Sequence, residues 1–321
     1  MSRPQVSPRP RPRPRPRVSG PQDRVRKPPR GSRRSSGPWV FVIIAVLLGT
    51  VGYGIWVIGS AVMGFVFPSQ PPDEQRIALD NEPVTPVLDV SDFTPGHLIS
   101  DELFYNPGTM DAAQVQDFLE KVGKGCRPGE GGTPCLKDYR EDTGTWEATS
   151  RCQGYQGAAG ETAAEIVVKA ALSCGINPQV LLVTLQKEQG LLTASSQNLY
   201  PRRYETAMGY ACPDGGTCDP QYFGFATQVY SAAAQFQRYR MNPAGFPFRA
   251  GGTYEIQYSP DAACGADQVT IANNATAALY NYTPYQPDLL ALEGVRGSCS
   301  SWGNRNFFGY FKAWFGHPTA G

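Results

Sequence analysis

Few residues in this 321-residue chain are equipped for chemistry. It has only two histidines, His97 and His317. They exclude a His-rich metal centre and argue against a Ser/His/Asp or Cys/His machine. A carboxylate is the remaining candidate. In PQVLLVTLQKEQ, residues 178–189, the side chains of Leu181, Leu185 and Glu188 follow the i, i+4, i+7 spacing of one helical face. A carboxylate that continues an apolar stripe at a helix end is expected to be half-buried, and burial favours its protonated form. Such a group can act as a general acid near neutral pH. Gly190 then turns the chain away and leaves Glu188 at the lip of a cleft. The competing reading is that Glu188 pairs with Lys187, Arg202 or Arg203, or faces water. On the first reading, Glu188→Gln is expected to cost little stability, because it neutralises a half-buried ionisable group.

The loops around this helix suit carbohydrate. Tyr200, Tyr204, Tyr210, Tyr222, Tyr230, Tyr280, Tyr282 and Tyr285 offer flat faces and hydroxyl handles. Tyr230, on an Ala-rich helix, is expected in the core, and Tyr222 and Tyr282 fit cleft and core equally. No cofactor and no metal are expected, since no pair of cysteines has CxxC spacing and no histidine lies near one.

The elements that must position these groups are mostly helices. Asp111 with Gln114 is a capping box ahead of Val115, Phe118, Leu119 and Val122. Residues 161–174 read as a helix ending at Gly175, with Glu161 complementing its dipole. Asn177-Pro178 opens the Glu188 helix and Gly190 closes it. Residues 225–239, 270–282 and 304–315 are also expected to be helical, with a hairpin near Thr253–Tyr258. All eight cysteines fall after residue 97, which predicts disulfides and an oxidising compartment. Proximity suggests Cys126–Cys135, Cys152–Cys174, Cys212–Cys218 and Cys264–Cys299. The expected fold class is mainly α (α+β), a helical domain with long disulfide-stapled loops, preceded by a single transmembrane helix.

Charge divides the chain. Residues 1–37 hold eleven Arg, Lys27 and only Asp23, a net of +11, which leaves 17 basic against 27 acidic residues, −10, for the remainder. A domain of that sign would repel phosphates, so no nucleic-acid partner is expected. Residues 38–67 carry no charge and are apolar over a length that spans a bilayer. With the basic flank before them, they predict a single-pass signal anchor with its N-terminus in the cytoplasm. The Arg-Pro repeat of residues 1–37 is an extended, disordered cytoplasmic tail, suited to anionic lipid or an acidic protein partner. Residues 68–96 read as an extracytoplasmic stalk, 97–316 as the exported domain and 317–321 as a C-terminal tail.

GINPQVLLVTLQKEQGLL resembles the catalytic helix of the lysozyme-like superfamily, in which one Glu stands at the C-terminal end. Ala207-Met208-Gly209-Tyr210 is similar to the segment that lines the sugar cleft in lytic transglycosylases, and Ala277-Ala278-Leu279-Tyr280-Asn281-Tyr282 to the Ala-Tyr-Asn segment that closes it. Several stretches, among them LISDELFYN, CLKDYR, LQKEQGLL, AMGYACPD and YTPYQP, resemble actinobacterial exported proteins labelled haemagglutinin-like. That likeness covers nearly all of residues 97–316. The lysozyme-like likeness, carried by those three segments, implies a cell-wall glycosidase or lytic transglycosylase acting on peptidoglycan. Glu188 would then be the acid/base, with Met208, Tyr210, Tyr280, Asn281 and Tyr282 binding substrate beside the loop tyrosine Tyr222; Asp214 is the candidate second carboxylate by its place in the loop after Tyr210, a loop without a counterpart in that pattern. The alternative is a non-catalytic wall- or glycan-binding adhesin or scaffold. The chain departs from the transglycosylase pattern at Glu188-Gln189-Gly190, where Glu-Ser is common, and at Gly209-Tyr210-Ala211-Cys212, which lacks the usual Gln.

Overall fold

The computed structural model describes residues 85–213 and 215–320. The tail, the predicted membrane span at 38–67, most of the expected stalk, and Asp214 lie outside the described residues. Among those described, no helix is long and apolar enough to cross a membrane.

The described chain is mainly helical. In order it forms α1 (Asp101–Phe104), α2 (Ala112–Val122), α3 (Ala163–Cys174), α4 (Pro178–Gln189), α5 (Pro201–Glu205), α6 (Phe225–Met241), α7 (Asn274–Tyr282), α8 (Leu289–Leu292) and α9 (Gly303–Phe315). Two short antiparallel pairs accompany them. One is β1 (Arg140–Glu141) with β2 (Glu161–Thr162), the other β3 (Thr253–Gln257) with β4 (Ala266–Thr270). The expected hairpin is therefore real, but its second strand starts only after a loop that contains Cys264.

Capping explains the helix starts. Asp111 and Gln114 form the expected box on α2. On α3 the box is Thr162 with Glu165, so Glu161 is not a first-turn charge. It lies in β2 and is buried, accepting hydrogen bonds from Thr143 Oγ1, Lys169 Nζ and Tyr155 OH. Burial alone would raise its pKa, but those three donors outweigh it and hold the carboxyl below its ordinary value.

Helix α4 is the centre of the core. Asn177 caps it by accepting from Gln179 N at 2.8 Å, while its own Nδ2 donates to Leu103 O at 2.8 Å. Val180, Leu181, Leu182, Val183 and Leu185 are all fully buried. The helix is thus surrounded rather than amphipathic, and the single Leu181–Leu185 stripe expected from spacing is one of several buried faces. Its neighbours are α3 and α9, while α6 packs on α3 and α7.

All four disulfides are formed, in the pairing expected from proximity, and the described residues hold no free cysteine. This fits an oxidising, extracytoplasmic setting. The packed region is wider than residues 97–316. Val90 is buried, Phe93 meets Phe308 edge-on at 5.5 Å, and Leu88 lies against Gly309. Lys312 Nζ bonds both Asp89 and Asp92 at 2.7 Å, which holds both carboxyls below their ordinary pKa. The expected C-terminal tail also packs back, with Ser100 N donating to Pro318 O at 3.0 Å.

Candidate functional site: a tyrosine-lined groove at the end of the central helix

Three segments far apart in sequence meet where α4 ends. Gly190 takes the left-handed conformation (φ 61°) and its N–H closes on Gln186 O. The last turn is tied down from outside the helix. Arg203 Nη1 donates to the Gln189 carbonyl, a cation at a helix C-terminus. Gln189 Nε2 donates to Thr206 O at 3.1 Å. These contacts fix Glu188 above the turn at 207–210, with Oε2 3.0 Å from the point where a Cβ on Gly209 would stand. Gly209 has φ +67°, which favours glycine, and a Cβ there would also press on the carboxyl above it.

The turn itself is held by Gln228 of α6, which is fully buried. Its Oε1 accepts from Met208 N (3.1 Å) and Tyr210 N (3.0 Å). Its Nε2 donates to Tyr210 O (3.0 Å) and Tyr222 O (2.8 Å). One amide thus satisfies four backbone groups that would otherwise be stranded. The third segment is the end of α7, where Tyr282 OH donates to Met208 O at 2.7 Å.

Two cavities adjoin here and share Gly209, Cys212 and Tyr282 in their walls. The smaller, about 170 Å³, holds Lys187 and Glu188 with Thr283, Pro284, Tyr285 and Gly303. The larger, about 360 Å³, is walled by Tyr210, Ala211, Pro213, Gln235 and Tyr239. Together they make a groove whose described walls carry two charged side chains, Lys187 and Glu188. The two are ion-paired, Nζ to Oε1 at 2.8 Å. The lysine side chain is 1% exposed and the glutamate side chain 25%. Glu188 is therefore partly buried, and it does pair with Lys187. Nζ also donates to Thr283 Oγ1 and lies 5.5 Å from the Tyr282 ring centre. Burial, with the nearby Glu188 carboxylate as the next contribution, pushes the Tyr282 hydroxyl pKa well up, so it stays a protonated donor.

Of the residues singled out from sequence, the structure brings Glu188, Tyr210 and Tyr282 together, and Tyr285 with them. It does not bring the others. Met208 and Tyr280 are fully buried and present no side-chain surface to a ligand; Tyr280 instead bonds Pro95 O at 2.9 Å. Asn281 spends its amide on Phe248, accepting from its N–H at 3.1 Å and donating to its carbonyl at 2.8 Å. Tyr222 meets the Tyr210 ring edge-on at 5.0 Å but does not line either cavity. Tyr204 stacks on Tyr139, and Tyr230 on Trp146, both as core residues. Asp214 lies outside the described residues, and no other described carboxylate lines the groove.

Sequence reasoning missed Gln228, Gln235, Tyr239, Thr283 and the central place of Lys187. Gln228 had a signal, because it falls on the Phe225–Val229–Ala232–Phe236 stripe, where a polar side chain must find partners. Among the described residues no group of His, Cys, Asp or Glu side chains comes together as a metal site. The chain matches no protein-family profile, no curated protein and no solved structure.

Proposed function

We propose that the domain cleaves a cell-wall glycan, with Glu188 as its acid/base, and that residues 38–67 hold it at the outer face of the membrane. The observation that carries this reading is the position of Glu188. Its carboxyl stands on Gly209, at the junction of two cavities, where the three segments that resemble a transglycosylase cleft converge. Tyr210, Tyr239 and Tyr282 give the groove the flat, hydroxyl-bearing walls that sugars use.

Glu188 would protonate the glycosidic oxygen as the bond from that oxygen to the sugar's anomeric carbon breaks. The transglycosylase resemblance implies an internal completion. A hydroxyl of the same sugar bonds to the cationic carbon and its proton passes to Glu188, leaving an anhydro end. A second carboxylate about 5–9.5 Å away would instead support hydrolysis, with retention or inversion set by the spacing. The lysozyme-like resemblance agrees with this reading. The tail's charge suits anionic lipid or an acidic protein on the cytoplasmic side.

One observation favours the non-catalytic alternative, a glycan-binding module. Glu188 is ion-paired, and a carboxylate occupied by Lys187 must take up a proton before it can give one. Digestion of purified peptidoglycan by the full chain, read by mass spectrometry, decides between them. Anhydro-muramyl ends are expected. Reducing ends would indicate hydrolysis, and binding with no products would establish the adhesin reading.

A further inference from the structure

We propose that Lys187 is the positioning residue of this site, reserving Oε2 of Glu188 for proton transfer by holding Oε1. The inference rests on the catalytic reading of Glu188.

Neighbouring side chains on a helix diverge by about 100° and do not ordinarily meet. Lys187 and Glu188 do meet, because the helix ends two residues later and the lysine runs inward instead of out to solvent. A long cationic side chain normally keeps its head in water. This one is 1% exposed, so its ammonium depends on three groups: Glu188 Oε1, Thr283 Oγ1 and the face of Tyr282. Those contacts close a circuit around the groove. Lys187 ties the end of α4 to Thr283, the residue that caps α7. The preceding Tyr282 bonds Met208 O, and Met208 precedes Gly209, on which Glu188 rests. The ammonium is thus anchored to the same wall that fixes the floor beneath the carboxyl.

The consequence is chemical. An oxygen that already accepts from an ammonium is the poorer place for a proton, so the proton of the acid form sits on Oε2. Oε2 is the oxygen that lies over Gly209, a residue common to both cavities. Oε1 keeps its bond to Lys187 in both forms, as a carbonyl oxygen when Glu188 is protonated and as half of an ion pair when it is not. The working oxygen therefore holds its position as Glu188 passes from acid to base.

The test uses the full chain with Lys187→Met, which keeps bulk and removes the charge, Lys187→Arg, and Thr283→Val, which removes the lysine's second support while leaving both charges in place. Peptidoglycan cleavage is resolved into kcat and KM, and the Glu188 carboxyl carbon is followed by NMR, assigned by its loss in Glu188→Gln. Lys187→Met is expected to lower kcat about 10–100-fold, the scale of a misplaced catalytic group, with KM nearly unchanged and the resonance shifted. Lys187→Arg should recover part of kcat, and Thr283→Val should lower it less. If Lys187→Met does not fold, Thr283→Val alone decides, and an unchanged kcat there overturns the proposal. A Lys187→Met enzyme with wild-type kcat, a change confined to KM, or an unmoved resonance also overturns it. Wild type that cleaves nothing ends the catalytic reading, and this role with it, even when the resonance still moves.

Discussion

Replacing Glu188 by Gln tests the site through stability before any substrate is added. The substitution keeps shape and one accepting oxygen but removes the carboxylate charge paired with Lys187. Removing one partner of a buried ion pair typically costs about 3–5 kcal/mol, because the other charge is left uncompensated. Here the discount is visible. The Glu188 side chain is 25% exposed, and Thr283 and Tyr282 still face the ammonium. A loss of about 2 kcal/mol is therefore expected, which for a domain of this size is roughly 4–8 °C in Tm. The expectation from sequence was of little or no loss, because it counted only the carboxyl's own burial. Lys187→Met should cost less, under about 1 kcal/mol, since the glutamate it leaves behind reaches water.

A double-mutant cycle read by thermal or urea denaturation isolates the pair. In the Lys187→Met background, Glu188→Gln should be nearly neutral, giving a coupling of about 1–2 kcal/mol. Equal melting of Glu188→Gln and wild type would refute the account of Lys187 as a buried ammonium dependent on Glu188. Cleavage by Glu188→Gln, measured well below both melting temperatures, should fall about two to four orders of magnitude.

Three further outcomes follow from the packing. Gly209→Ala puts a side chain at φ +67° and against Glu188 Oε2, so it should cost about 1–3 kcal/mol by denaturation and reduce cleavage with it; a neutral Gly209→Ala would mean that the carboxyl does not rest there. Glu161 has a folded-state pKa below its unfolded one, so its contribution is present above the unfolded value, about 4.3, and is lost as pH falls through the folded value. Glu161→Gln should accordingly destabilise at pH 7 and approach wild type as the solution is acidified below about pH 4, and a gap independent of pH would contradict this. A chain beginning at residue 97 omits Val90 and Phe93 and should be roughly 3 kcal/mol less stable in urea than one beginning at 85, with equal midpoints refuting the packing of that segment.

The local signals were read most easily where one residue type has one job. Asn177-Pro178 and Gly190 bound α4 at the residues expected, because a cap, a first-turn proline and a left-handed glycine each act within a few residues. The disulfides were legible for a related reason, since consecutive cysteines in sequence are joined pairwise. Glu161 shows the limit of such reasoning. Its place before α3 suggested a dipole role, but Lys169, Tyr155 and Thr143 bind it from elsewhere in the fold.

The groove was legible as segments and not as side chains. Resemblance pointed to the turn at 207–210 and to the end of α7, and both converge on Glu188. Yet Met208 contributes its carbonyl rather than its thioether, and Tyr280 faces the core while Tyr282 faces the groove. Helical spacing explains that last difference, since residues two apart point to nearly opposite sides of a helix. Pairing of Glu188 with Lys187 was one of the readings open from sequence, although adjacent helical residues do not ordinarily face each other. The rule holds within a helix and weakens in its last turn, where a long side chain can reach around a freed end. Gly190 ends α4 two residues after Glu188, and Thr283 stands at the end of α7 to receive the ammonium. A lysine beside a candidate catalytic glutamate, just ahead of a capping glycine, therefore has to be weighed as part of the site, because the helix end that exposes the carboxyl also frees the lysine to turn inward.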